Sequence, residues 1–360
     1  MEEGVRQFPC GQCGAKVEFA PRPGSLQCPY CGHQTAIPES DEGFHEQDFH
    51  RVLANLEAGT EMEEVQTVTC ASCAASVEPA PSAEAFPCPY CGSSIVATAK
   101  SERLIKPQAL LPFLIERGQA TGLFRKWISK LWFAPDALKK LARLDDRLQG
   151  LYAPYWTYDS RTSSEYRGQR GDDYRVTKTR RVSRNGKMVT ETYTDTQTRW
   201  TPVGGTVGRD FDDVLVVGSR SLPRSLAEEL EPWDIGSLVT YADDYLSGFQ
   251  AERYQIGLAE GWTRAGERME QVIRGDVRRD IGGDHQRITS LRTRHDEVTF
   301  KHVLLPLWIC SYRYREKIYR FLVNARTGEV QGQRPWSWVK IMLTALMLTA
   351  VAVVIYQATR

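Results

Sequence analysis

Residues 336–356 read WSWVKIMLTALMLTAVAVVIY. From Ile341 to Tyr356 there are 16 residues without a charge, and only Thr344 and Thr349 interrupt the apolar run. A helix rises about 1.5 Å per residue, so this run spans roughly 24 Å, against a hydrocarbon core about 30 Å thick. Val339 and a snorkelling Lys340 extend it, and Trp336, Trp338 and Tyr356 stand where interfacial aromatics stand. A surface helix would need a polar face, and this run has none. The stretch predicts one C-terminal transmembrane helix, with a buried core helix as the alternative.

The rest of the chain divides by charge. Residues 1–100 hold 5 Lys/Arg and 14 Asp/Glu, a balance of −9. The remaining residues hold 41 and 31, a balance of +10. The start, MEEGVR, has no apolar h-region of the signal-peptide type. Eight of the nine cysteines precede residue 92, in four Cys-x-x-Cys pairs whose thiolates call for a reducing compartment. Arg334 and Lys340 precede the apolar run and Arg360 follows it, a bias that places the preceding residues in the cytoplasm.

Cys10, Cys13, Cys28 and Cys31 recur 60 positions later as Cys70, Cys73, Cys88 and Cys91. Each pair presents two sulfurs to one side of a metal, and two pairs close a tetrahedral four-thiolate site. The spacing predicts two small zinc ribbons, each holding one structural Zn2+. Iron fits the same ligands. A redox dithiol fits one pair, not four in two matched sets. Phe8 and Val17 match Val68 and Val77 as the apolar floor of each module, and His33 reads as a surface residue. The first ribbon has three acidic and three basic side chains in residues 1–33; the second has five and one in residues 61–100. Nucleic-acid affinity rests on several Lys or Arg contacts to phosphate, so this acidic head points to protein docking.

Between the ribbons, Phe49, Val52, Leu53 and Leu56 share one face of a helix over 44–58 that Gly59 ends, read as a spacer packed on a ribbon, with a partner-binding helix as the alternative. After Lys100 an extended entry precedes a stripe of Leu123, Phe124, Trp127, Ile128, Leu131 and Trp132, then a second helix from Pro135 to Leu148. Together they predict a helical hairpin whose Trp-rich stripe is core or membrane-facing. Strands dominate 151–220, with Asn185-Gly186 as a tight hairpin turn. Residues 161–209 carry 11 basic and 5 acidic side chains, a solvated face or a site for anionic head groups. Leu226 to Leu230 suggests a short helix, and Trp262, Ala265, Met269, Val272, Ile273 and Ile281 mark a long one over 258–281. Strands follow at 298–315 and 318–323, with Cys310 as a core residue. The expected organisation is ribbon 1 over 1–40, a helical linker over 41–62, ribbon 2 over 63–100, an α+β body with antiparallel sheet over 101–335 and the anchor over 336–360.

No Walker loop, nucleophile elbow or zincin motif is present. His285, His295 and His302 with Asp284 and Asp296, and the carboxylates of 210–213 with Asp243 and Asp244, match no metal or catalytic spacing. The chain is therefore not expected to be an enzyme.

CPYCG at 28–32 and 88–92, LYAPYWTYD at 151–159, YRGQRGDDY at 166–174, FDDVLVVGS at 211–219, DIGGDHQRI at 280–288 and FLVNARTGEVQG at 321–332 together resemble a family of bacterial TFIIB-type zinc-ribbon membrane proteins. That family is often labelled primosomal protein N-prime (replication factor Y). The helicase ATPase motifs are missing here, so a helicase activity does not transfer. The resemblance implies zinc ligands at the eight paired cysteines and no catalytic residues. A more distant similarity, to a membrane-stress component that works beside an SPFH-domain scaffold, implies a cytoplasmic adaptor at the bacterial inner membrane, crossing once. A nucleic-acid factor at the membrane and an enzyme with an unrecognised site in the body are the alternatives.

Overall fold

A computed structural model of the chain describes residues 8–38, 43–58, 62–72, 75–77, 85–88, 90–96, 100–135, 148–184, 187–314 and 317–358. The helix expected from Pro135 lies almost wholly outside them, as do Gly59, Cys73 and Asn185-Gly186.

In chain order the first ribbon contributes β1 (Glu18–Ala20), β2 (Ser25–Gln27) and β3 (Gln34–Thr35). β4 (Gln47–Asp48) and α1 (Phe49–Ala58) follow, then the second ribbon and its flanks: β5 (Glu63–Thr69), β6 (Ser76–Val77), β7 (Ala85–Pro87), β8 (Ser94–Val96) and β9 (Lys100–Leu104). The body adds β10 (Ala109–Leu110), α2 (Arg117–Ser129), β11 (Gln149–Arg184), β12 (Lys187–Val217), α3 (Arg224–Glu229), β13 (Val239–Thr240), β14 (Gln250–Ala251), α4 (Leu258–Ile281), β15 (His285–Tyr314), β16 (Lys317–Asn324) and β17 (Val330–Gly332). α5 (Trp338–Ala358) comes last.

The body is built on a nine-stranded sheet with β12, β11 and β15 side by side. The region 151–220 forms two continuous strands of 36 and 31 residues that pair in register from Tyr155↔Val217 to Arg184↔Lys187, shifted once between Tyr158 and Ser160. β15 covers β11 only as far as Gly171↔His285. Beyond it the β11–β12 hairpin continues as a two-stranded arm; its 13 residues at about 3.3 Å each extend roughly 43 Å. Pro202 is accommodated because β12 is the edge strand, where a missing N–H breaks no ladder bond.

Strand alternation gives the base of this sheet two buried faces. Tyr152, Leu304, Trp308 and Cys310 enter a core shared with Val17, Phe19 and Leu26 of the first ribbon. Leu151, Tyr155, Leu305, Leu307 and Ile309 enter a core shared with Val68, Val77, Tyr90 and Ile95 of the second. The duplicated modules hold opposite faces of one sheet. Burial on both faces explains why residues 303–310, VLLPLWIC, read as an unbroken apolar run instead of an alternating one.

Farther along the sheet, α4 lays Ala265, Met269, Ile273, Val277 and Ile281 against it, in a core with Trp156, Tyr158 and Tyr166. The Tyr158 hydroxyl donates to the Leu258 carbonyl at 2.7 Å and Trp156 Nε1 to the Ile256 carbonyl at 2.8 Å. Gly261 lets helix and sheet approach this closely, because a Cβ there would overlap the Tyr158 hydroxyl. Gly261→Ala is expected to destabilise the chain by about 1–3 kcal/mol, read as a lower denaturation midpoint in detergent.

Two expectations change. α1 is not a spacer on a ribbon: Phe49 packs on Tyr158 and Trp262, and β4 pairs with Thr299 and Phe300 of β15. The Trp-rich stripe divides. Phe124 stacks on Phe321 at 3.6 Å and Ile128 is buried, while Trp132 lies 71% exposed.

Candidate metal centres

The knuckle turns repeat one hydrogen-bond pattern. Cys10, Cys28, Cys70 and Cys88 each donate a backbone N–H to the carbonyl five residues on, at 2.7–2.9 Å. Gly14, Gly32 and Gly92 close their turns at φ of 75°, 74° and 72°, a conformation that favours glycine.

In the first ribbon this brings the sulfurs of Cys10, Cys13, Cys28 and Cys31 within 4.8 Å of one another. Cys10–Cys31 is 3.6 Å and Cys13–Cys28 is 3.5 Å. These are too long for disulfides, whose S–S bond is about 2.05 Å. A tetrahedral ion with metal–sulfur bonds of about 2.3 Å sets its sulfurs roughly 3.8 Å apart, so the cluster fits such an ion. The electrostatics agree. Backbone N–H groups of Cys31 and Tyr30 hold Cys28 down at about 6 against partial desolvation. Despite the His33 N–H, desolvation and the neighbouring cysteines push Cys31 up to about 12. Four thiols this close do not all ionise by themselves; a divalent cation removes that penalty. His33 is exposed and outside the cluster.

In the second ribbon Cys70, Cys88 and Cys91 form the corresponding cluster, with Cys70–Cys91 at 3.6 Å. Cys73, the expected fourth ligand, lies outside the described residues. Ser93 stands where the first ribbon has His33 and places its hydroxyl 2.9 Å from the Cys91 sulfur. The apolar floors form as expected, with Val17 donating to the Phe8 carbonyl at 3.0 Å and Val68 paired with Val77.

The identical Cys-Pro-Tyr-Cys knuckles have opposite surroundings. Tyr30 is 83% exposed; Tyr90 is fully buried. The Tyr90 hydroxyl donates to Glu252, and its carbonyl accepts from Ser311 Oγ and from Arg320 Nε at 2.8 Å. Glu252 also accepts from Ser219 at 2.9 Å and Gln255 at 3.0 Å. Burial pushes its carboxyl up to about 7 against these hydrogen bonds. Between about 4.5 and about 7 the folded chain keeps a proton that the unfolded chain releases, so stability from this group falls as pH rises through that window and is level above it. Glu252→Gln is expected to abolish that slope, worth on the order of 3 kcal/mol across the window, as read by unfolding at a series of pH values.

The first ribbon docks by another surface. Phe19 meets Tyr245 edge-on at 5.3 Å and donates its N–H to the Ser247 carbonyl at 2.9 Å, and the Ser247 hydroxyl donates to the Val17 carbonyl at 2.7 Å. Both of its knuckles, 11–14 and 29–34, stay exposed.

The remaining candidates separate. His285, His295 and His302 lie on one strand; at about 3.3 Å per residue they are roughly 33 Å and 23 Å apart. They do not converge. His302 is a core residue stacked on Trp156 at 4.6 Å, pushed down to about 3 by burial. His295 leans on Trp262. His285 contacts Asp173 at 3.1 Å in a shallow depression with Trp200, Asp284 and Arg287. Asp243 is held by the Tyr241 hydroxyl at 2.8 Å.

Sequence reading missed one cluster. Register shifts at Asp159 toward β12 and at Ser160 toward β15, with Asp213 and Glu297 at φ 51°, gather Glu46, Asp159 and Asp212 within 4.8 Å. Lys301 sits among them, 2.8 Å from Asp213 and 2.9 Å from Glu46. Its ammonium pairs with Glu46, Asp159 and Asp213. Burial still lifts Asp159 to about 6, against the Asp213 N–H and Lys301. The basic region 161–209 is also less bare than its composition implies: Arg161, Arg170, Lys178, Arg180 and Arg209 are in ion pairs.

α5 has 21 residues and a mean hydropathy of 2.2, and none of its apolar window is buried. It is long and apolar enough to cross a membrane.

The chain is 25% identical over 342 residues to the uncharacterized protein YdjG of Bacillus subtilis (strain 168), a similarity covering 94% of this chain and 92% of that one. No family model and no solved structure matches, so the primosomal-type resemblance has only the quoted sequence runs behind it.

Proposed function

We propose that this chain is a membrane-anchored cytoplasmic adaptor, with α5 as its single crossing and one structural zinc in each ribbon. Cys10, Cys13, Cys28 and Cys31 hold the first ion; Cys70, Cys73, Cys88 and Cys91 hold the second. Each ion supplies folding energy and no open coordination position. The contrast between Tyr90 and Tyr30 carries the reading. The second ribbon spends its knuckle inside the molecule, on Glu252 and Arg320. The first keeps the same surface exposed: Gln12, Pro29, Tyr30, His33 and Gln34, without a formal charge. That composition suits a protein partner better than phosphate. An SPFH-domain scaffold is one candidate of the kind the distant resemblance suggests.

The test is purification of the full chain from membranes of its own cells after crosslinking, beside a Gln12→Ala/Tyr30→Ala variant. A partner held by the native chain and lost from a variant with unchanged metal content supports the adaptor. Equal recovery of partners from both chains contradicts it.

A further inference from the structure

The turn that follows α2 is fastened to the root of α5. The Phe133 carbonyl accepts the Ser337 N–H at 2.8 Å, and the Ala134 carbonyl accepts from Lys340 Nζ at 3.0 Å. Just upstream, the Gln333 N–H donates to the Arg320 carbonyl at 2.8 Å, and Pro335 is buried. The apolar helix thus leaves the body through a clamped junction.

Around that junction the large aromatics face outward. Trp132 is 71% exposed, Trp336 53% and Trp338 73%. α2 meets its packing needs without Trp132, since Ala120, Phe124 and Ile128 are its buried residues and the Trp127 ring lies against Gly332. The charge around the junction is mainly basic. Residues 125–135 and 333–340 include Arg125, Lys126, Lys130, Arg334 and Lys340 and no Asp or Glu, with Asp136 next in sequence. Lys126 and Lys130 are exposed and one helical turn apart. Tryptophan favours the headgroup layer, where its ring is shielded and its N–H is wet, and a basic cluster there is drawn to anionic lipid.

We infer that the α2–α5 junction is a bilayer-surface site that takes anionic phospholipid head groups: Trp132, Trp336 and Trp338 enter the interfacial layer, and Lys126 and Lys130 meet lipid phosphates. The inference rests on reading α5 as a membrane anchor. It assigns the membrane contact to this junction instead of the basic strands of 161–209. It also makes the anchor an orienting device, because a body held at α2 as well as α5 cannot swivel freely.

The test uses the full chain in nanodiscs of phosphatidylcholine with a minority of phosphatidylglycerol, with acyl chains plain or brominated near the head group. The emission difference between the native chain and Trp132→Phe isolates Trp132; it is expected to be quenched in brominated discs. Lys126→Gln/Lys130→Gln is expected to lower the enrichment of phosphatidylglycerol in the discs by on the order of tenfold, with the chain still retained. Trp132 emission that is equal in plain and brominated discs overturns the site, as does an unchanged lipid preference in the double variant. A chain that is not retained in discs at all overturns the anchor itself, and the site with it.

Discussion

Deleting residues 338–358 is expected to move the chain from wholly membrane-retained to wholly soluble, as read by sedimentation after carbonate extraction. The effect is large because α5 is unburied along its apolar window. Nothing in the described body covers it, so its apolar area is available to lipid, at about 25 cal/mol per Å2 removed from water. The Trp338–Ala358 helix is about 31 Å long at about 1.5 Å per residue, which matches a hydrocarbon core of about 30 Å. The body should keep its fold in the deleted chain, because none of its three cores includes an α5 residue. A graded version is Leu348→Arg, which places a guanidinium near the helix centre at a cost of about 2.5–3.5 kcal/mol and should give partial release. A deleted chain that still sediments with membranes would assign retention to the body.

Cys28→Ser is expected to lower bound zinc from two equivalents per chain to one, as measured by metal analysis of the purified full-length protein. Cys28 is buried and its sulfur lies 3.5 Å from Cys13, so serine leaves three thiolates and an open position. A structural zinc contributes on the order of 10–16 kcal/mol to folding its module, more than three short strands can replace. Loss should extend to the body, because the Phe19 and Ser247 contacts depend on the ribbon being folded. Cys88→Ser is expected to remove one equivalent as well, and to release Tyr90 from Glu252. The two variants therefore share a metal readout but differ in the pH slope that Glu252 sets.

How much of this was legible depends on how far each feature reaches along the chain. The cysteine knuckles are local: ligand spacing and turn glycines lie within five residues, so Cys10 to Cys31 could be read directly. The α4 helix was legible because Ala265, Met269 and Ile273 repeat at four-residue steps. The fates of Tyr30 and Tyr90 were not, because both sit in the same Cys-Pro-Tyr-Cys string and the deciding Glu252 is 162 residues beyond Tyr90. The Lys301 cluster was hidden for the same reason, since Glu46 reaches it across 255 residues. His302 had a readable signal: within VTFKHVLLPL, it belongs to a strand buried on both faces, where a neutral core histidine is the natural outcome. The continuity of β11 and β12 was missed because polar stretches such as residues 190–199, TETYTDTQTR, read as exposed strand without showing how far the pairing runs on.

The shape places the proposed docking surface. The first ribbon reaches the start of α2 through Arg22 and Glu116, at 3.1 Å, and Phe133 and Ala134 in the turn after α2 hydrogen-bond the root of α5. From Glu116 to Lys130 the helix rises about 21 Å. α2 and the turn after it thus run from the ion pair with the first ribbon to the root of the anchor.

The adaptor claim is tested most directly by placing a photo-crosslinking amino acid at position 30, and separately at position 90, in the full-length chain in its own cells. The account predicts an adduct with another protein from position 30 and only internal crosslinks from position 90. Internal crosslinks alone from both positions, with both zinc sites filled, would contradict it.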